Sequence, residues 1–304
     1  MAWHSISVDE LQSYFHRLAN DEKLSFEEES DFCTFLMGAE SDSTDSFKRY
    51  EEICSDHVFI TGLHLLSGPN AAVEEIAHRN YSPYQELRKR VDAFESKYDS
   101  NATDLFFRQV RKEFNIEHKE LRKKDTGDEL AEKTAVLKAK LEFLRIRSER
   151  LYDDYLAKHD LTSLDLPYGN VVIRFDKVSI MHILNRHVIR NGALDLDRIT
   201  GKSLLSLSSL EDIIDRIKYL FSVLPKPTTL SGEEEVNIYF KKDLGGEIYA
   251  VHVKPIPEST KAGAKKVQRL ETFYPIQEAA KLAEFAGRSF KRIRTDLYLL
   301  ADKT

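Results

Sequence analysis

Along the first half of the chain apolar residues recur every three to four positions, the spacing of a helix with one buried face. Ser7-x-x-Glu10 and Ser25-x-x-Glu28 are capping boxes, each opening an apolar-periodic run, Leu11–Leu18 and Phe26–Met37. A helix over Ser46–Leu66 follows and stops at the turn Ser67-Gly68-Pro69-Asn70. Further helices are predicted over Ala71–Arg79, Pro83–Tyr98 and Asp104–Phe114, with Pro83 in a first turn. The most regular stretch is Asp128–His159. There Leu130, Leu137, Leu144 and Leu151 recur every seven residues, with Thr134, Leu141, Ser148 and Tyr155 between them. The periodicity favours one arm of an intrachain helical hairpin. An oligomer formed through residues 128–158 is the alternative.

Near Leu161–Tyr168 the helical pattern ends, and beyond it strand-like alternation appears. Asn170–Phe175 reads as a short strand. Asp176 can cap a helix over Lys177–Arg190, closed by Asn191-Gly192. A helix over Leu210–Leu224 comes next, then a hairpin of Glu235–Lys242 and Glu247–Lys254. The segment Pro255–Lys266, rich in Pro, Gly and Lys, reads as a loop. Val267–Ile276 is a strand, Gln277–Phe285 a helix, and Ser289–Leu300 a tail with one further strand. The expected fold class is therefore α+β: a helical domain over 1–160, then a small antiparallel-sheet domain over 168–304 with helices on one side.

If the hairpin closes with Lys242 opposite Glu247, its register is fixed. Val236, Ile238, Phe240, Tyr249, Val251 and Val253 then share an apolar core face. The other face holds Asn237, Tyr239, Lys241, Ile248, Ala250, His252 and Lys254. In the last strand Gln268, Leu270, Thr272 and Tyr274 form one set, and Thr272 and Tyr274 are expected on the polar face. A face with Lys, His, Tyr and Thr together is either solvated surface or a phosphate site.

Composition narrows the class. Charged residues make up 32% and the net charge is −6, which fits a globular chain. No apolar run approaches the ~20 residues of a membrane span, so no membrane partner is expected. The first residues, MAWHSISVDE, show no secretory pattern. Cys33 and Cys54 make no disulfide framework, which fits a reducing, cytoplasmic setting. Residues 1–159 carry 23 basic and 32 acidic side chains, and the rest carry 22 and 19. An acidic half joined to a basic one suggests that the basic half meets an anion. The histidines His4, His16, His57, His64, His78 and His118 lack metal-ligand spacing, and no cofactor motif is present, so neither metal nor cofactor is expected.

Candidate chemistry centres on Lys177–Arg190. On a regular helical wheel Met181, Leu184 and Val188 form the buried stripe, and His182, Arg186 and Arg190 lie opposite. His187 falls at the stripe's edge, about 60° from Arg190 and about 140° from His182. By that wheel the two histidines cannot meet at one point, and His182 faces solvent or a contact outside the site.

This helix ("IMHILNRHVIR", Ile180–Arg190), the Lys-rich hairpin and "RLETFYPI" (Arg269–Ile276) together resemble the barnase–EndoU–colicin–RelE superfamily of nucleases, in its phage- and toxin-associated branch. The resemblance covers about residues 168–300. It implies a metal-independent endoribonuclease, often a toxin or effector, with RNA as partner and in some cases an inhibitory protein. It implies His187, Arg190 and Thr272 or Tyr274 as catalytic residues, and Lys241, His252 and Lys254 as substrate-binding ones; apart from the resemblance, Tyr239 could stack on an unpaired base and Lys265 could hold the RNA backbone. The chemistry suits the residue types. In metal-free RNA cleavage the 2′-OH attacks the adjacent phosphate, which needs a general base, a general acid and fixed cations. Lys261, Lys265, Lys266, Arg269, Lys291, Arg292 and Arg294 could add backbone affinity. Competing readings are a non-catalytic nucleic-acid or protein-binding module, and an assembly protein using the Leu heptads.

Overall fold

The computed structural model describes residues 7–19, 22, 24–25, 28, 71–80, 82–99, 103–188, 211–226, 234–242, 246–260, 263–295 and 297–300. The expected elements over Phe26–Met37 and Ser46–Leu66, the turn at 67–70, Cys33, Cys54 and Arg190 lie outside them, apart from Glu28. The described residues fall into two compact units that divide between Ile146 and Arg147.

The first unit is helical. Helix α1 (Val8–Ala19) opens with the predicted box: Glu10 N–H donates to Ser7 Oγ at 3.2 Å, and Ser7 N–H to Glu10 Oε2 at 2.8 Å. The Ser25–Glu28 box forms in the same way. Helices α2 (Ala71–Asn80) and α3 (Ser82–Asp92) follow. The predicted single helix over 83–98 breaks at Ala93, and a one-turn helix α4 (Phe94–Lys97) continues it. Asp104 caps α5 (Leu105–Leu121), accepting from Phe106 N–H at 2.7 Å. Tyr84, Phe94, Tyr98, Phe106 and Phe114 are buried core rings.

Helix α6 (Gly127–Lys158) realises the heptad segment, and Leu137, Leu144 and Leu151 are all buried within the chain. Around its middle it is buried on every side, Lys140, Glu142 and Arg145 included. Buried charges of this kind need partners. Glu142 accepts from Lys97 Nζ at 2.6 Å, from Arg145 at 3.1 Å and from the Tyr98 hydroxyl, and Lys140 pairs with Glu117 at 3.3 Å.

The second unit begins inside α6. The change of periodicity near 161–168 marks where helix gives way to strand, whereas the compact units part earlier, within the helix. Tyr155, near the end of α6, is buried and donates its hydroxyl to Asp215 at 2.6 Å, and Glu149 pairs with Lys177 at 2.6 Å.

After β1 (Asp165–Tyr168) and β2 (Val171–Arg174) comes α7 (Lys177–Ile183), which runs into a π-turn over Leu184–Val188. Then follow α8 (Glu211–Val223), β3 (Val236–Lys241), β4 (Ile248–Thr260), β5 (Gly263–Ile276), α9 (Ala279–Glu284), β6 (Phe290–Arg294) and β7 (Leu297–Leu300). They form one seven-stranded sheet in the order β1-β2-β5-β4-β3-β7-β6.

The hairpin register is the predicted one, with Asn237 opposite His252 and Phe240 opposite Tyr249. Five features depart from expectation. The sheet is mixed, because β2 runs parallel to β5. The expected loop at 255–266 is instead the end of a long β4–β5 ribbon, pairing out to Thr260 opposite Gly263. Pro255 and Pro257 are tolerated there because proline need only avoid positions where its missing N–H is required by the ladder. The tail forms two strands, and β1 precedes the predicted first strand. Finally, helices cover both faces: α8 meets the face of Phe240, Tyr249 and Phe273, while the π-turn and the end of α9 meet the face of Tyr239 and Tyr274.

Candidate functional site

Asp176 fixes α7 from its first turn. Its carboxylate accepts from the N–H groups of Val178 and Ser179, at 3.1 and 3.2 Å, and from Arg269 Nε of β5 at 3.0 Å. The Ser179 hydroxyl donates to the Leu270 carbonyl at 2.5 Å. These bonds hold the helix against β5, with Ile180, Met181, Ile183 and Leu184 buried.

The π-turn then sets the direction of His187. A π-turn adds one residue to the turn, which brings residues five apart closer to the same side of the helix than an α-helix does. His182 and His187 lie with ring centroids 6.5 Å apart, and His182 is half-buried. The wheel prediction that separated them and sent His182 to solvent is therefore corrected, since it assumed unbroken α geometry. His187 is buried and stacks on Tyr274, with centroids 4.3 Å apart and planes 3° apart.

On the sheet, Thr272 pairs with His252 and Tyr274 with Ala250. Register slips between His252 and Val253, where Leu270 pairs with Val253. Glu271 is the extra residue of a bulge. The bulge turns Leu270 to the opposite face from Thr272 and Tyr274, which corrects the expected four-residue set. It also gives Glu271 to Lys254, at 2.7 Å.

His252 sits edge-on to Tyr274 at 5.8 Å and to Tyr239 at 6.2 Å. Burial, reinforced by Lys254 and opposed by Glu271, holds its imidazole below the ordinary 6.5. His252 Nε2 and Thr272 Oγ1 are buried and have no hydrogen-bond partner among the described residues. Lys281 of α9 lies over the Tyr274 ring at 5.4 Å. Burial pulls its ammonium down, but Tyr274 and Glu278 outweigh this and leave it raised.

Of the sequence candidates, His187, Thr272, Tyr274, His252 and Tyr239 come together. Lys254 is tied to Glu271, and Lys241 lies over the Phe290 ring at 4.6 Å. Lys265 pairs by backbone with Glu258, about 20 Å along the ribbon from Thr272. Arg190 lies outside the described residues. Sequence reasoning missed Lys281 and the approach of His182. Apolar spacing carries no mark of a π-turn, and Lys281 reaches the ring through tertiary folding alone.

The neighbourhood also has an apolar side. Tyr274 packs with Ile248, Ala250, Ile276 and Phe285, and Tyr239 packs against that cluster. Among the described residues no helix is long and apolar enough to cross a membrane, and no three His, Cys, Asp or Glu side chains are grouped to hold a metal ion. No family model, no curated protein and no solved structure matches the chain.

Proposed function

We propose that the second unit is a metal-independent endoribonuclease that uses His187 and His252 as its proton-transfer pair. One observation carries this reading. Two imidazoles from different elements flank one tyrosine, and a buried nitrogen of one of them, like the buried Thr272 hydroxyl beside it, bonds to nothing among the described residues. Buried polar atoms without partners are rare and call for an explanation. A phosphate oxygen and a 2′-hydroxyl supply the missing partners.

His252, held neutral at pH 7, accepts the 2′-OH proton as that oxygen forms its bond to phosphorus. The phosphorus–O5′ bond breaks, and protonated His187 gives its proton to the leaving 5′-oxygen. Thr272 and Lys281 stabilise charge on the phosphoryl oxygens, and Tyr274 holds the His187 ring in place. The products are a 2′,3′-cyclic phosphate and a 5′-hydroxyl. A cytoplasmic toxin or effector restrained by an inhibitory protein belongs to the same reading.

The test is incubation of the chain with single-stranded RNA in chelator. Cyclic-phosphate products are expected. Cleavage that needs magnesium, or that proceeds equally on DNA, rejects the proposal.

A second reading has its own support. The apolar cluster around Tyr274 suits a rigid, non-catalytic binding module on the same sheet. RNA binding with no cleavage under any condition selects it. The assembly reading is weaker, because the Leu-heptad residues Leu137, Leu144 and Leu151 are buried within the chain.

A further inference from the structure

The other face of the sheet carries a cavity of about 470 Å³. Because strand side chains alternate, it lies on the opposite face of the sheet from His252 and Tyr274. Its walls, among the described residues, include Phe240, Tyr249 and Phe273. These rings form a nearly parallel set: Phe240 and Tyr249 are 5.4 Å apart at 19°, Tyr249 and Phe273 5.8 Å at 15°, and Phe240 and Phe273 6.4 Å at 6°. Leu220 of α8 and Leu297 of β7 add apolar walls, and Arg216 and Lys242 bring cations. The volume lies within the range of small-molecule sites, and a mostly apolar lining with a few placed charges is their usual composition.

We propose that this cavity binds a small planar aromatic molecule bearing one carboxylate or phosphate group. The aromatic wall selects a flat ring, which gains by stacking or edge contact. Arg216 pairs with Asp212 at 2.7 Å, and its guanidinium has five N–H donors, more than one carboxylate takes up. Among the described lining residues Arg216 and Lys242 are opposed by Asp212 alone, so the walls themselves suit an anionic group better than a cationic one. The volume admits a one- or two-ring molecule and not a polynucleotide strand. The site is thus separate from the proposed RNA chemistry.

The experiment is calorimetric titration of the full chain with indole-3-carboxylate, neutral indole and phenyl phosphate. Saturable one-site binding of at least one of the two anions is expected, and whichever binds tighter identifies carboxylate or phosphate as the native group. Arg216→Gln should weaken the anion about tenfold or more and leave indole within about twofold. Phe273→Leu should weaken both. Should that variant fail to fold, upfield ring-current shifts of the ligand protons on binding the wild-type chain test the aromatic wall instead. Absence of saturable binding by either anion overturns the proposal. So does affinity unchanged by both Arg216→Gln and Lys242→Gln, or the absence of ring-current shifts.

Discussion

His187 and Thr272 make different demands on the chain, and mutation separates them. His187→Ala should slow RNA cleavage at least ~10²-fold while circular dichroism stays native, because Ile180, Met181 and Leu184 pin the helix. His182→Ala should fall between wild type and His187→Ala, since its ring lies 6.5 Å from His187. A His182 variant with wild-type rate would return that residue to the solvent-facing role the wheel gave it. Thr272→Val removes a buried hydroxyl with no partner among the described residues. Thermal unfolding should show stability unchanged or raised by about 1 kcal/mol, while cleavage falls. A stability loss together with full activity would show that the hydroxyl serves the fold.

The pH profile follows from His252. Its imidazole is held below 6.5, so the base form persists to lower pH than for a free histidine. The acidic limb of kcat/KM should therefore lie below pH 6.5 and vanish in His252→Ala. At this scale the sequence indicated residue types and a shared face. It could not indicate which nitrogen and which hydroxyl would go unpartnered, because that depends on what packs around them.

Among the elements, the β3–β4 pairing was readable because a four-residue turn and strict alternation admit one register. The π-turn and the bulge at Glu271 were not. Each inserts a single residue, leaves composition untouched and changes only which side chains meet. Helix α6 shows the same limit. Its heptads were plain, yet the burial of Lys140, Glu142 and Arg145 depends on α3–α5 wrapping it.

Glu142→Leu should destabilise the chain by roughly 3–5 kcal/mol in chemical denaturation, because it strands Lys97 and Arg145 beside an apolar side chain. Burial would raise the Glu142 carboxyl, but Arg145 and Lys97 outweigh it and hold it below its ordinary 4.5. Its contribution is thus present above pH 4.5 and is lost as the pH falls below that value. Wild-type and Glu142→Leu stabilities should converge in acid. Parallel curves from pH 7 to pH 3 would contradict this.

Across the whole molecule, the mixed helix-and-strand content followed from periodicity, and the described residues part into compact units within α6. Helix α6 belongs to both units, and its C-terminal turns carry Tyr155 to Asp215. A fragment beginning at Arg147 should therefore resist proteolysis and denaturant better than one beginning at Asp160. Equal stability would mean that the end of α6 contributes little to the sheet. Leu137→Ser should lower stability by about 3 kcal/mol or more without changing the molecular mass in solution, since the side chain is fully buried within one chain.

The parallel pairing of β2 with β5 has a consequence for synthesis. Ser179 and Leu270, which hold α7 to β5, are 91 positions apart. Contacts of such long range form late, after the intervening chain has been made. Helices α5 and α6 can fold while the ribosome is still translating the hairpins. The cluster of His187, His252 and Tyr274 cannot assemble until β5 has emerged, so a nascent chain released early carries the helices without that cluster.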